Sequence, residues 1–156
     1  VVGLIGVDTY QEFGPGVPPD LLAEITAPFR TDFAGTMNGF VRDMFVENSD
    51  SALVDWVVAD MSAAPPEVAI SALEFYFSSN ALEMLKETSI PIRAINSDIW
   101  PTDLKTNQEN AASYDLKLMP GIGHFVMQED PVTFNRLLRE TLDELTGKSG
   151  APVDEE

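Results

Sequence analysis

Ile90-Pro91-Ile92-Arg93-Ala94-Ile95 is a short run, apolar but for Arg93, that ends on Asn96-Ser97-Asp98. It reads as a buried strand, as in a parallel sheet. Pro91 stands at its start, where a missing N–H is tolerated. Leu116-Lys117-Leu118-Met119 reads as a second strand, followed by a Pro120-Gly121-Ile122-Gly123 turn and then His124-Phe125. Asp130 is placed to cap a last helix with Pro131 at its first position. Phe134, Leu137, Leu138, Leu142 and Leu145 lie along one face of that helix. Lys148 to Glu156 is rich in Gly, Pro and acid and reads as a flexible tail.

Upstream, Val1-Val2-Gly3-Leu4-Ile5-Gly6-Val7 is another apolar run, closed by Asp8. It reads as a strand over 2–8, buried on both faces. Because the chain opens on such a strand, and on Val rather than Met, the expectation is that further strands precede it. Between these zones the period changes to helical, over about 17–88. Phe33, Met37, Phe40, Val41, Met44 and Phe45 recur at helical spacing, as do Leu53, Val54, Val57, Val58 and Met61 with Ser49 or Asp50 as N-cap. Pro65-Pro66 break the pattern, and Pro66 suits the first turn of the next helix. Asn80 is placed to cap a short helix carrying Leu82 and Leu85.

Strand, helices, strand, strand and helix with short links define an α/β fold with an open parallel sheet. The organisation expected is a core strand over 1–10, a helical cap over 11–88, core strands and helices over 89–147, and the tail over 148–156. In such sheets, functional groups gather at the carboxyl ends of the strands. Asp8-Thr9-Tyr10 follows the first strand, Asn96 to Asp103 the second, and Gly121 to Phe125 the third. Two carboxylate-bearing loops and the chain's single histidine therefore share one edge, where an acid–histidine couple belongs.

Composition narrows the classes. The 156 residues carry 26 acidic against 9 basic side chains, a net charge of -17. Nucleic acids and anionic membrane surfaces require a positive field, so neither is an expected partner. The acid surplus reads as a solvated face. With no cysteine, disulfides, thiolate catalysis and Cys-based zinc sites are excluded within the segment. No apolar run is long enough to span a bilayer. No signal peptide is read, and a cytoplasmic location is the expectation. Neither a metal nor a cofactor is expected.

Ile90 to Asp98, together with Met119-Pro120-Gly121-Ile122-Gly123-His124-Phe125-Val126-Met127-Gln128-Glu129-Asp130-Pro131, resembles the C-terminal third of an α/β-hydrolase. In that superfamily the acid follows the second-last strand and the histidine follows the last strand in a Gly-His-Phe type loop. The opening strand with Asp8 resembles the one after the nucleophile helix, and the helical middle resembles the inserted cap. The resemblance covers most of 1–146. It departs at one point: no Gly-x-Ser-x-Gly, the motif that exposes the nucleophile on a strand–helix turn, occurs in the sequence. The resemblance therefore implies that nucleophile and oxyanion donors come from a preceding portion of the same protein, and that this fragment alone is inactive.

The roles it implies are His124 as base and Asp98 as its orienting acid. Asp103 is a rival acid that also suits a helix cap. Asp8 is a second rival, since some hydrolases place the acid after the earlier strand, although a turn-forming role outweighs catalysis there. Trp100 and Phe125, beside the two loops, and Phe33, Met37 and Phe40 of the cap are candidates for an apolar substrate pocket. The substrate implied is a small apolar or acyl compound, hydrolysed as an ester or similar acyl bond through a covalent acyl-enzyme. Two alternatives remain open: an Asp nucleophile, as in epoxide hydrolases and haloalkane dehalogenases, and a non-catalytic small-ligand receptor or scaffold.

Overall fold

The structure is a computed structural model and describes residues 1–9 and 11–147. The tail expected over 148–156 lies outside the described residues. Three strands, β1 (Leu4–Val7), β2 (Ile92–Ser97) and β3 (Tyr114–Met119), form a parallel sheet in the order β1-β2-β3. Five helices intervene between β1 and β2: α1 (Pro19–Thr31), α2 (Phe33–Arg42), α3 (Ser51–Ser62), α4 (Pro66–Ser78) and α5 (Ala81–Glu87). Helix α6 (Leu104–Asn110) joins β2 to β3, and α7 (Val126–Glu129) and α8 (Pro131–Thr146) follow β3.

The central strand β2 alternates between two apolar clusters. Ile92 and Ala94 pack with Phe13, Leu85 and Tyr114 on one face. Ile95 packs with Met119, Val126, Phe134 and Leu137 on the other, so the sheet is sandwiched between α5–α6 and α7–α8. Pairing begins at Ile92 rather than Ile90, because Pro91 has no N–H to give and contributes only its carbonyl, which accepts from Leu4 N at 2.9 Å. It runs on through Asn96 and Ser97, opposite Leu118 and Met119. These two polar residues extend the ladder past the last apolar side chain. The opening strand is less buried than its sequence suggests. Its only strand partner among the described residues is β2, and Leu4 is 38% exposed.

A third cluster, Phe29, Met37, Val41, Val57, Val58 and Ile70, belongs to α1–α4 and reaches Phe125 of the loop after β3. Helix starts follow their capping residues. Asp50 accepts from Ala52 N at 2.8 Å, Asn80 from Glu83 N at 3.1 Å, and Pro66 opens α4. Helix α2 stops at Arg42, so Met44 and Phe45 lie in the connection to α3 rather than on the helix. On α8 the buried stripe is Phe134, Leu137 and Thr141, while Leu142 is 46% exposed. Thr141 is accommodated because its hydroxyl donates to Leu137 O at 2.7 Å.

Asp130 caps α8 by accepting from Thr133 N at 3.0 Å. Hydrogen bonds from the Thr133 side chain, and then from its backbone N–H, hold the Asp130 carboxyl below the usual carboxylate range. A depressed carboxyl stabilises the fold above its unfolded value and loses that contribution as pH falls through the lower folded one. Asp130→Ala is therefore expected to lower the thermal midpoint at neutral pH. The difference from the parent should shrink progressively once pH drops below the ordinary aspartate value of 3.8. Parallel melting curves across that range check it, and a gap that persists in strong acid would contradict the assignment.

Candidate active site

The carboxyl ends of β1 and β2 converge at Asp8. Its backbone N–H still donates to Ile95 O at 2.9 Å, as a strand residue would. Its φ of +42°, however, lies in the left-handed region and ends the strand abruptly. Among residues with a side chain, Asp and Asn enter that region most readily. The turn folds the carboxylate over the end of β2. There Oδ1 accepts from Ser97 N at 2.6 Å and Oδ2 lies 2.7 Å from His124 Nδ1. Asp8 is 1% exposed, so its buried charge is matched on both oxygens, as burial demands.

His124 enters from the loop after β3. Its side chain is 31% exposed, and its Nε2 makes no hydrogen bond among the described residues. An ionised Asp8 accepts the proton on Nδ1, which leaves the Nε2 lone pair directed away from the carboxylate. Trp100 and Phe125 flank the ring, with centroids 5.5 and 5.2 Å from it. Phe125 also stacks on Phe45 at 4.8 Å.

Asp98, expected to orient His124, does not reach it. It lies one residue beyond β2, and its Oδ1 accepts from Gly121 N at 2.8 Å. It thus holds the start of the turn whose far end carries His124. Gly121 has a φ of +79°, a conformation glycine adopts without a Cβ penalty. Asp103 is a helix cap: it accepts from Thr106 N at 3.0 Å, and that backbone bond, followed by one from the Thr106 side chain, lowers its carboxyl below the ordinary value. Of the three carboxylates considered in the sequence, the one ranked last is the one against the histidine. Asp98→Asn keeps an acceptor for Gly121 N and exchanges a charge-assisted bond for a neutral one of about half the strength. Steady-state kinetics of the intact protein are expected to register a loss of less than about tenfold, the equivalent of about 1.4 kcal/mol.

The cap candidates divide. Phe33 lines a cleft of about 490 Å³ with Phe29, Ile70 and Glu74, and neither His124, Trp100 nor Phe125 lines it. Met37 is buried in the helical core and Phe40 packs edge-on against Phe29 at 5.5 Å. Trp100 and Phe125 are the candidates that stand beside the histidine. Two supporting residues had escaped the sequence reading. Asn96, fully buried, accepts from Thr9 N at 3.2 Å and donates to Thr102 Oγ1 at 3.0 Å, tying the loop after β1 to the loop after β2. Ser97 supplies the N–H that holds Asp8. A polar pair closing an apolar strand was the available signal, since buried polar groups require partners.

A parallel sheet with its acid–histidine pair at the carboxyl ends of the strands, and a run of helices inserted between two of those strands, is the α/β-hydrolase fold. Solved structures agree. A hydrolase from Oleispira antarctica superposes with a TM-score of 0.69 at 20% identity, covering 83% of this chain and 49% of its own. An esterase from Thermogutta terrifontis gives 0.74 at 20% identity, covering 92% and 56%. An esterase from Exiguobacterium antarcticum gives 0.72 at 15% identity, covering 92% and 57%. The chain thus spans about half the length of the structures it matches. No protein-family model and no curated protein sequence matches it.

Proposed function

We propose that this chain supplies the base and the orienting acid of a hydrolase acting on a carboxylic ester or similar acyl bond. The nucleophile, a serine, comes from a part of the protein outside residues 1–156. The observation that carries the reading is the pair formed by buried Asp8 and half-exposed His124, with Nε2 left for a reacting group. In the first half-reaction Nε2 takes the serine proton as the hydroxyl oxygen attacks the carbonyl carbon. The imidazolium, stabilised by Asp8, then gives that proton to the departing alkoxide. A water repeats the sequence on the acyl-enzyme and releases the acid. Trp100 and Phe125 give the ring an apolar flank suited to a small apolar or acyl substrate. The esterases among the similar structures agree with this chemistry. On this reading residues 1–156 alone turn over no ester.

Labelling the full-length protein with a fluorophosphonate tests it. One serine outside these residues should be modified, and the label should disappear in His124→Ala. Absence of labelling together with halide release or epoxide opening would transfer the protein to Asp-nucleophile chemistry. Absence of labelling and of all three activities would leave a ligand-binding role.

A further inference from the structure

The loop that carries His124 is gripped from the helical insertion. His124 N donates to Met44 O at 2.8 Å. Gly123, just before it, has no room for a side chain: a Cβ there would fall 2.5 Å from Met44 O and 2.9 Å from Phe45 Cα. Phe45 stacks on Phe125. Beyond the histidine, Glu129 Oε2 accepts from Ser49 Oγ at 2.6 Å, and Ser49 Oγ in turn accepts from Val46 N at 3.1 Å. The other Glu129 oxygen, Oε1, is buried without a hydrogen-bond partner among the described residues, and a Cβ on Gly123 would lie 2.7 Å from it. The connection between α2 and α3, residues 43–50, therefore touches the histidine segment before, at and after the ring-bearing residue.

We propose that Glu129 and Ser49 are positioning residues for His124. Their hydrogen bond clamps the α2–α3 connection onto the loop after β3 and fixes the imidazole between Asp8 and the reacting hydroxyl. The proposal rests on the hydrolase reading above. Neither residue touches the ring. Each acts through Met44 O and the Gly123 backbone, which close around His124 only while the 43–50 connection stays seated. Phe125 is reached by the clamp through Phe45, whereas Trp100 stands on the loop after β2, so loss of the clamp should act more on the chemical step than on binding.

The test uses the full-length protein and p-nitrophenyl acetate. Ser49→Ala and Glu129→Ala are each expected to lower kcat by about 10-fold to 100-fold, the cost of a displaced reacting group, with KM changed far less. The double variant should be no worse than the poorer single one, because both remove the same contact. Glu129→Gln keeps an acceptor for Ser49 and should recover most of the loss. Circular dichroism and thermal unfolding accompany each variant. Wild-type kcat in Ser49→Ala and Glu129→Ala would overturn the proposal. So would a rise in KM alone, additive losses, or losses that track the fraction unfolded. His124→Ala run in parallel separates the two levels: if it is inactive while the clamp variants are not, only the clamp fails. If it stays active, the assignment of His124 as the base fails and the clamp falls with it.

Discussion

His124→Ala is expected to lower turnover of an activated ester by about 10⁴-fold or more, the scale on which removal of one member of a catalytic triad acts. The fold should survive. The imidazole is partly exposed, and its side-chain hydrogen bond among the described residues is to Asp8 alone. The backbone N–H that anchors the loop to Met44 O is unaffected by the substitution. One cost remains: the Asp8 carboxylate would stay buried with Oδ2 unmatched, which destabilises by about 1–3 kcal/mol. A thermal midpoint lowered by a few degrees beside a near-total loss of turnover is therefore the expected signature. Retention of a tenth of the activity in correctly folded protein would remove His124 from the base role.

How legible the fold was can be seen in particular elements. An apolar run without a polar face marked β1, short apolar-rich runs marked β2 and β3, and Asp50, Pro66, Asn80, Asp130 and Pro131 marked helix starts because each acts locally. Asp50, Asn80 and Asp130 satisfy backbone donors of the first turn, and the two prolines need no partner there. Strand ends were less legible, since pairing of Asn96 and Ser97 depends on β3 and not on their own chemistry. The extra turn assigned to Met44 and Phe45 failed for a related reason. Both are apolar at helical spacing, but they are used against the histidine loop, Met44 through its carbonyl and Phe45 through its ring.

At the site, the edge of the sheet and the histidine were legible, whereas the choice of acid was not. Distance along the chain favoured Asp98, which follows the strand next to β3. What decides is register and turn geometry. Val7 pairs with Ile95, so Asp8 stands level with the last residues of β2, and its positive φ carries the side chain across that strand. Asp98, already past the end of β2, meets the Gly121 N–H first. Neither fact has a periodicity or a composition to reveal it.

Asp8→Asn is the second large effect expected, and its sign depends on which atom goes where. Asp8 Oδ1 accepts from Ser97 N, and an Asn at this position keeps that bond with its amide oxygen. The amide nitrogen then occupies the place of Oδ2, 2.7 Å from His124 Nδ1. An NH₂ group can only donate there, so Nδ1 must become the acceptor and the ring proton moves to Nε2. In that tautomer Nε2 has no lone pair for the serine hydroxyl, and the imidazolium formed later lacks a counter-charge. Amidation of the orienting acid in a serine protease costs about 10⁴-fold in kcat with the geometry intact, and a loss of the same order is expected here. Because the side chain keeps its shape and its Ser97 bond, the folded protein should remain. The comparison with Asp98→Asn makes the result decisive. If Asp98→Asn proved the more damaging of the two, the carboxylate against His124 would not be the one that orients it during turnover.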